Sequence, residues 1–403
     1  MIMMIDKFLN LEGVVINGYR HLENIGIVFE IESKSKKAIC PSCGRMSDKL
    51  HQNHRYLVKD LPMSGQEVYL KINRRQFKCD NCQKAFSEKL DFVANKRTYT
   101  KRLALNILGQ LKEGDILNTS KRNGVTEEEI QRMLEDVAKA IIHQDVSGLK
   151  RLGLDEIALV KGQKNYCAVL VDLDLGKPIA ILEKRTQEEL RKTFMGWGVE
   201  VLAKIEEVSI DLWEAYRSLV QELMPSAEVV ADRFHVMKQV NEELDKQRRV
   251  EKRAVDKIKN EAKKRAKLEI LKKSKYSLLK NEENLTEEQK NKLAALKETF
   301  PKLKEMHELK ESLRIIYEKS ENWREGMFAM QDWWEKSAET FTESRQTIRR
   351  WFGEIISYFD RRTTNGIVEG INNKLKLIKR RGYGFRNFRN FFVRSMLCWH
   401  FES

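Results

Sequence analysis

The sequence predicts a mixed α/β fold, and three observations lead to this prediction. Short apolar runs of strand length alternate with helix-period segments between residues 151 and 240. From residue 241 onward, Lys, Arg and Glu alternate with Leu, Ile and Ala at helical intervals. Residues 1–95 differ from these two segments because they contain two pairs of cysteines, and two residues separate the cysteines of each pair. We therefore expect several domains, each with its own core.

The composition indicates which classes of partner the chain has. Its 403 residues carry a formal net charge of +15, and 41% of them are hydrophobic, which is ordinary for a globular protein. No apolar run is long enough to cross a bilayer, so we expect no membrane role. An early acid and the lack of a small-residue cleavage site argue against a secretory signal and for a reducing, cytoplasmic location. So basic a chain favours a nucleic acid as its partner.

Residues 1–95 are predicted to form a zinc ribbon. Two C-x-x-C units follow strand-like segments, and residues 55–78 between them read as strands. The four cysteines are Cys40, Cys43, Cys79 and Cys82. Four thiolates close a tetrahedral site for structural Zn²⁺. A redox pair and disulfides are the competing interpretations, and His51 or His54 could replace one thiolate, although solvated histidines are the favoured interpretation.

Residues 96–150 are predicted to form a helix-turn-helix. A helix-period segment, a glycine-containing turn and a short second helix precede a third helix over residues 127–142. Thr126 and Glu129 have the spacing of a capping box at its start. This third helix would enter the major groove of DNA, but its first turn is acidic, which is unfavourable near phosphate. A plain helical connector is the alternative.

Residues 151–240 are predicted to form the first part of a ribonuclease-H-like core. Three strands in a meander, a helix, a strand, a second helix and a last strand follow the order of that fold. Asp155 lies inside the first strand and Asp211 ends the fourth, so the two acids are neighbours in the fold. A carboxylate in an apolar strand is costly unless it is paired or liganded, and we therefore expect the two to share a metal. Asp172 and Asp174 are expected to form a turn.

Two further segments complete the predicted layout. Residues 241–350 are expected to be a charged helical insertion, and residues 351–403 the second part of the core. A helix in this last segment carries a third acid, Glu369, with Asn373 on the same face by its spacing. An exposed helix acid without a role is the alternative for Glu369. The basic residues that follow it and are expected to bind DNA are Lys376, Lys379, Arg380, Arg381 and Arg386.

Together these motifs resemble the bacterial DDE transposases of the ISL3 insertion-sequence family. The resemblance covers nearly the whole chain. Its most specific parts are Ala-Asp-Arg-Phe-His at residues 231–235 and Glu-Gly-Ile-Asn-Asn at residues 369–373. Other matching stretches are the two C-x-x-C units, Gly-Leu-Asp-Glu-Ile-Ala around Asp155 and Ile-Asp-Leu-Trp around Asp211.

The resemblance implies a ribonuclease-H-like catalytic core that an all-helical insertion interrupts before the last acid. It implies that Asp155, Asp211 and Glu369 are catalytic and bind two Mg²⁺ ions, for which Mn²⁺ can substitute. Asp232 and His235 match a D-x-x-H signature, for which a structural role is expected. The implied partners are the terminal inverted repeats of the element and the target DNA. We expect a homodimer or a higher oligomer on DNA, associated with the nucleoid.

The function that this resemblance implies is DNA transposition by strand cleavage and strand transfer. Two Mg²⁺ ions roughly 4 Å apart clamp the attacking and leaving oxygens of such a displacement, and carboxylates are the ligands that Mg²⁺ prefers. A catalytically inert zinc-ribbon and helix-turn-helix regulator is the alternative, against which the complete set of acids argues. Another nuclease of the same fold is a third possibility, but it leaves the N-terminal modules unexplained.

Overall fold

A computed structural model describes the conformation of most of the chain. The described residues are 9–141, 144–158, 166–363, 366–382, 385 and 387–400. They belong to two compact units. The first unit comprises residues 1–142, 381–383 and 393–401, and the second comprises residues 143–380, 384–392 and 402–403. No described helix is both long enough and apolar enough to cross a membrane.

The first unit contains a five-stranded sheet with the order β1-β2-β6-β5, in which β7 pairs with β6. Its strands are β1 (Val14–Leu22), β2 (Gly26–Ser33), β5 (Leu50–Met63), β6 (Gln66–Lys78) and β7 (Ala85–Ser87), and a separate hairpin joins β3 (Ala38–Ile39) to β4 (Met46–Ser47). The sequence predicts strands within β5 and β6 but not β1 and β2. Asn17-Gly18 in β1 is typical of a hairpin turn. In the structure the register shifts between Ile16 and Gly18, so this dipeptide forms a bulge inside a strand.

Three helices follow the sheet in the first unit. They are α1 (Lys101–Leu111), α2 (Ile116–Asn123) and α3 (Glu127–Ile141). Gly124, with φ of +57°, ends α2 in the left-handed region that favours glycine. The predicted capping box is confirmed, because the Thr126 N–H donates to the Glu129 carboxylate and the Glu129 N–H donates to the Thr126 hydroxyl. The helix predicted for residues 127–142 is confirmed as far as Ile141.

The second unit contains another five-stranded sheet, with the order β10-β9-β8-β11-β12. Its strands are β8 (Arg151–Ala158), β9 (Tyr166–Asp172), β10 (Lys177–Leu182), β11 (Glu207–Ile210) and β12 (Glu228–Ala231), with helices α4 (Gln187–Trp197), α5 (Val199–Leu202) and α6 (Glu214–Leu223) between them. The pairs β8–β9 and β9–β10 are antiparallel, whereas β8–β11 and β11–β12 are parallel. The predicted succession of strands and helices is thus confirmed.

Two details of this unit concern the predicted turn at Asp172 and the helix that follows α4. The Asp172 carboxylate accepts the N–H groups of Asp174 and Leu175, both at 2.9 Å, which confirms its predicted turn role. The segment that begins at Val199 is a separate short helix, not an extension of α4. The reason is Gly198, whose φ of +87° interrupts the helix.

From residue 233 to residue 400 the regular structure of the described chain is helical. The helices are α7 (Arg233–Asp256), α8 (Glu261–Leu271), α9 (Lys275–Leu279), a 3₁₀ helix (Glu282–Asn284), α10 (Glu287–Thr299), α11 (Pro301–Lys319), α12 (Trp323–Lys336), α13 (Thr342–Arg350), α14 (Phe352–Arg361), α15 (Gly366–Arg381) and α16 (Phe388–His400). The predicted domain boundary at residue 240 lies inside α7. This helix continues because Val236, Val240 and Leu244 form one buried stripe at intervals of four residues.

Helix α15 packs against β8 at a position where the strand has no side chain. A Cβ atom on Gly153 would lie 2.8 Å from Val368 Cγ2 and 2.8 Å from Leu173 Cδ2. Val368 is completely buried, and Glu369 follows it directly in α15. The absence of a side chain at Gly153 therefore sets the distance between the strand that carries Asp155 and the helix that carries Glu369.

We predict that Gly153→Ala destabilises the second unit by about 1–3 kcal/mol, because overpacking a tight contact forces side chains or backbone to move. Thermal unfolding of the full chain measures this effect, and Val368→Ala in the same chain should recover part of the loss. Gly370→Ala in α15 is the matched control, since no atom lies within 4 Å of a Cβ placed there. An unchanged unfolding midpoint for Gly153→Ala would contradict the packing argument.

Candidate active site and zinc centre

The ends of three neighbouring strands bring acidic residues together in the second unit. Ser209 of β11 lies opposite Gly153 of β8, and the two strands are parallel. Two residues farther along each strand, Asp155 and Asp211 are neighbours. Asp232 follows β12, the next strand in the sheet, and its N–H donates to the carbonyl of Ile210 at 2.9 Å. Strand geometry alone therefore concentrates three carboxylates at one edge of the sheet.

His235 connects two of these acids. Its Nδ1 lies 2.9 Å from Asp211 Oδ1 and 2.9 Å from Asp232 Oδ2, and the contact with Asp232 is a hydrogen bond. The other oxygen of Asp232 caps α7 by accepting the N–H of Phe234 at 3.1 Å. Asp232 is buried, with 4% of its surface exposed. These contacts tie the position of Asp211 to the first turn of α7.

The electrostatics of this cluster depend on crowded negative charge. Burial, and after it the charge of Asp211, raises the pKa of Asp155 to about 7. Burial by itself lowers the pKa of His235, but the contacts with Asp211 and Asp232 outweigh it and raise this pKa to about 10. The imidazolium thus offsets part of the negative charge. Without a cation, Asp155 is partly protonated near neutral pH.

Asp155 is held by two hydrogen bonds. One oxygen accepts the N–H of Glu156 at 2.6 Å, and the other accepts the Asn372 side-chain amide at 2.5 Å. Asn372 is 3% exposed, and its own Oδ1 is buried without a hydrogen-bond partner. Asn373, which the spacing from Glu369 predicts on the same helix face, is exposed. Asn372 could have been found from its spacing, because it lies four residues after Val368 in the buried stripe of α15.

Glu369 lies on the wall of the same cavity. This cavity has a volume of about 1670 Å³ and is lined by Asp155, Asp211, Glu369 and Asn372, among others. Glu369 is exposed, one helical turn before Asn372. The group of metal-ligating atoms found among the described residues within 4.8 Å of one another comprises Asp155, Asp211 and His235. The three predicted catalytic acids therefore share one cavity, and Glu369 stands apart from the close cluster.

The predicted DNA-binding residues have different environments. Lys376 lines the cavity, and Lys379 Nζ donates to the carbonyl of Ala158 at 2.9 Å at the end of β8. Arg380 and Arg381 are exposed. Arg386 lies outside the described residues. Lys376 is thus the predicted DNA-binding residue that lines the same cavity as the acids.

The donor atoms at the acidic cluster suit a hard divalent cation. Asp211 Oδ1 is buried and shares the Nδ1 atom of His235, 2.9 Å away, with Asp232, so it has no hydrogen bond of its own. Asn372 Oδ1, on the same cavity wall, is buried without a hydrogen-bond partner. Buried oxygens without donors are costly, and carboxylate and amide oxygens are ligands of Mg²⁺ and Mn²⁺ or acceptors for their bound water. The residues therefore fit such a cation.

The four cysteines of the first unit form the second metal-ligating group. Their sulfur atoms lie within 4.8 Å of one another. The distances Cys40–Cys82 and Cys43–Cys79 are both 3.5 Å, whereas a disulfide has an S–S distance of about 2.05 Å. Four thiolates around Zn²⁺ at about 2.3 Å are separated by about 3.8 Å, close to these values. This Cys₄ cluster supports a structural zinc ion and not disulfides.

Local backbone structure positions these thiolates. The first pair lies in the turn between β3 and β4, and the second in the turn between β6 and β7. Burial raises the pKa of Cys40, but N–H groups of Ser42 and Cys43 point at its sulfur and bring the pKa down to about 6. The thiolate, which is the form that binds zinc, is therefore favoured. His51 and His54 are exposed, in agreement with solvated side chains.

Comparison with known proteins gives matches over both units. A family model for ISL3 elements, described as Transposase, matches residues 152–395. A second, described as the zinc-finger of transposase IS204/IS1001/IS1096/IS1165, matches residues 36–82. The transposase for insertion sequence element IS1001 of Bordetella parapertussis is 27% identical over 373 residues, which cover 90% of this chain and 89% of the relative. The transposase for insertion sequence element IS1557 of Mycobacterium tuberculosis is 32% identical over 287 residues, covering 66% of this chain and 64% of the relative.

For the zinc centre, we expect elemental analysis of the reduced, freshly purified chain to find about one zinc ion per chain. Cys79→Ser removes one of the four ligands and should abolish the zinc content and unfold the zinc-binding segment. Cys167→Ser, at a buried cysteine of β9 in the other unit, is the matched control and should retain the metal. Full zinc content in Cys79→Ser would contradict the assignment of this ligand.

For the acidic cluster, we expect Asn372→Leu to weaken Mn²⁺ binding by about tenfold to a hundredfold. Groups that orient a metal ligand have effects of this size on affinity, and the change leaves an oxygen of Asp155 without its donor. Titration with Mn²⁺, followed by electron paramagnetic resonance, measures the affinity. Asn373→Leu changes the adjacent, exposed asparagine and should bind Mn²⁺ as the unaltered chain does. Equal affinities for all three proteins would exclude a positioning role for Asn372.

Proposed function

The chain belongs to the ISL3 family of insertion-sequence transposases, and we propose that it catalyses Mg²⁺-dependent cleavage of DNA at the ends of its element and transfer of those ends to target DNA. The observation that carries this proposal is the pair Asp155 and Asp211. The two lie on neighbouring parallel strands, with Glu369 on the wall of the same cavity. The buried Asp211 oxygen, which shares the Nδ1 atom of His235 with Asp232, supports a cation at this position.

The proposed core is ribonuclease-H-like. The strand order β10-β9-β8-β11-β12 supports it, because three antiparallel strands followed by two parallel ones is the order on which the prediction from sequence was based. We propose that residues 151–240 and 351–403 form this core and that residues 241–350 are inserted into it. The helical structure between them supports the insertion.

The proposed roles of the chain's residues follow from their positions. When bound, Mg²⁺ supplies electrostatic stabilisation of the attacking and leaving oxygens in an in-line phosphoryl transfer. Asp155 and Asp211 would hold the ions from rigid strands, and Glu369 would complete the ligand set from α15. Asp232 and His235 would keep Asp211 in place, a structural role that their mutual hydrogen bond supports.

We propose that the zinc ribbon and the helices α1–α3 bind the terminal inverted repeats of the element. The strongly basic composition supports a DNA partner. In α3, the proposed recognition helix, one acid of the first turn makes hydrogen bonds within the protein. Glu129 takes part in the capping box and accepts the hydroxyl of Thr98 at 2.8 Å, so its charge is not directed at DNA alone. We further propose that the protein acts as a homodimer or higher oligomer on this DNA.

The alternative, an inert DNA-binding regulator, leaves the acidic cluster unexplained. A regulator gains nothing from buried carboxylates that raise the pKa of Asp155, since such a cluster destabilises the fold without a cation. Clustered acids with perturbed pKa values in a large cavity are typical of active sites. The enzyme is therefore the better supported proposal.

We predict that Asp155→Asn, Asp211→Asn and Glu369→Gln each lower strand cleavage by about a thousandfold or more, while binding to the terminal repeats stays nearly unchanged. Each change removes one charged ligand and keeps the shape of the side chain. Gel assays with labelled element ends and Mg²⁺ measure cleavage, and band shifts measure binding. Glu305→Gln alters an exposed acid of α11 and serves as the control.

The outcomes separate the three acids. Normal cleavage by Asp155→Asn or Asp211→Asn would refute the proposed active site. Normal cleavage by Glu369→Gln alone would leave the site in place and remove Glu369 from it.

A further inference from the structure

The cavity that contains the acids is much larger than a metal site requires. Its volume of about 1670 Å³ exceeds the range of about 300–1000 Å³ that is typical of small-molecule sites. It extends from the acids along the first four turns of α7 to α9 and α11. Cations on its walls include Arg233, Lys238, Lys246 and Lys376. Acids on the same walls, such as Glu242, Glu243 and Glu343, offset these cations, so it is the dimensions that suit a segment of a polymer rather than a small ligand.

One aromatic side chain in this cavity is exposed. Phe234 is 50% exposed, and it is the one exposed large hydrophobic residue among the described residues that line the cavity. Trp213 also lines the cavity, but the Arg185 guanidinium lies 4.7 Å from its ring centre and Tyr216 packs against it at 4.5 Å. A phenyl ring left in water forgoes the free energy of burial. The ring of Phe234 therefore keeps an accessible apolar surface inside the cavity, which a ligand can cover.

The ring of Phe234 is held close to the reactive part of the cavity. The backbone N–H of Phe234 donates to the Asp232 carboxylate, and this hydrogen bond fixes the backbone in the first turn of α7. Its ring meets that of His235 at 87°, with ring centres 5.5 Å apart. His235 in turn contacts Asp211, so one side chain separates Phe234 from the acidic cluster. Among the ring contacts of the described residues, no parallel ring covers either face of Phe234.

We propose that Phe234 is the stacking surface of a nucleobase subsite next to the acidic cluster, and that it binds the base beside the cleaved phosphate. This inference rests on the proposed function. When a phosphate binds at the acids, the base of the adjoining nucleotide lies one sugar away from it. One side chain, that of His235, spans the same separation between the acids and Phe234. Stacking on an aromatic face accepts any base, and it compensates a base that has left the duplex.

Single-turnover cleavage of element-end duplexes by the full chain with Mg²⁺ tests the subsite. Each duplex lacks one base at a position that flanks the cleaved bond. We expect the wild type to cleave the duplex that lacks the base at one of these positions about tenfold more slowly than intact DNA. We expect Phe234→Ala to cleave intact DNA about tenfold more slowly than the wild type does. On the duplex that lacks the stacked base, Phe234→Ala should show no additional loss, because the same contact is already missing.

Further variants separate stacking from bulk and folding. Phe234→Trp should retain wild-type rates, whereas Phe234→Leu, which keeps apolar volume without an aromatic face, should resemble Phe234→Ala. Phe328→Ala is the matched control, since Phe328 of α12 is 65% exposed and lies outside the cavity lining. Unfolding midpoints of all variants verify that the fold is intact, as expected for a half-exposed ring.

The outcomes distinguish this subsite from the proposed function. Full activity of Phe234→Ala or of Phe234→Leu would overturn the subsite. So would a loss from Phe234→Ala that multiplies the loss from the missing base at every abasic position. In either case, cleavage by the wild type still supports the proposed enzyme. Absence of cleavage by the wild type on intact element ends would overturn both.

Discussion

The contact between α15 and β8 is the constraint on which the acidic site depends. The hydrogen bond from Asn372 to Asp155 joins residues 217 positions apart in the chain. One turn earlier in the same helix, Val368 fits over Gly153, so the helix is fixed at two points along the strand. The backbone of Glu369 lies between these points, so the two contacts set its position relative to β8. The intervening helices must therefore return the chain to the sheet, and α14 does so by packing against β12, the strand from which α7 departs.

The acidic cluster shows how this fold accepts a local loss of stability. Asp211 and Asp232 directly follow β11 and β12, and Asp155 lies inside the neighbouring strand β8, so their charges repel one another. The His235 imidazolium offsets part of the repulsion by contacting two of the carboxylates. The buried Oδ1 of Asp211 nevertheless has no donor of its own, because His235 Nδ1 also contacts Asp232. A sheet selected for stability alone would place apolar residues there, so the cluster indicates a site that becomes favourable when a cation binds.

Sequence patterns predicted the features that depend on local interactions. The strands of the second sheet, the turn at Asp172 and the capping box at Thr126 all follow from spacing within a few residues. The strands β1 and β2 were not predicted. The Asn17-Gly18 dipeptide in β1 is typical of a turn, and only the pairing with β2 shows that it forms a bulge. Asn372 was passed over for Asn373 because spacing from Glu369 alone does not tell which asparagine faces the sheet. The buried stripe that begins at Val368 includes Asn372 and not Asn373, and the contact of Val368 with Gly153 shows that this stripe faces the sheet.

The two metal-ligating groups differ in how far apart their ligands lie in the chain. The cysteines belong to two turns of one small sheet region, between residues 40 and 82, and soft thiolates close a site that leaves no position for a substrate. The acidic group takes Asp155 from β8, Asp211 from the end of β11 and His235 from the first turn of α7. In the proposed site Glu369 would add a donor from α15, so that site would be complete only after the helical segment has folded. Hard oxygen ligands in an open cavity retain exchangeable positions. Ligand chemistry and chain topology thus separate the zinc-binding cysteine cluster from the proposed acidic site, which lies in a cavity large enough for a polymer.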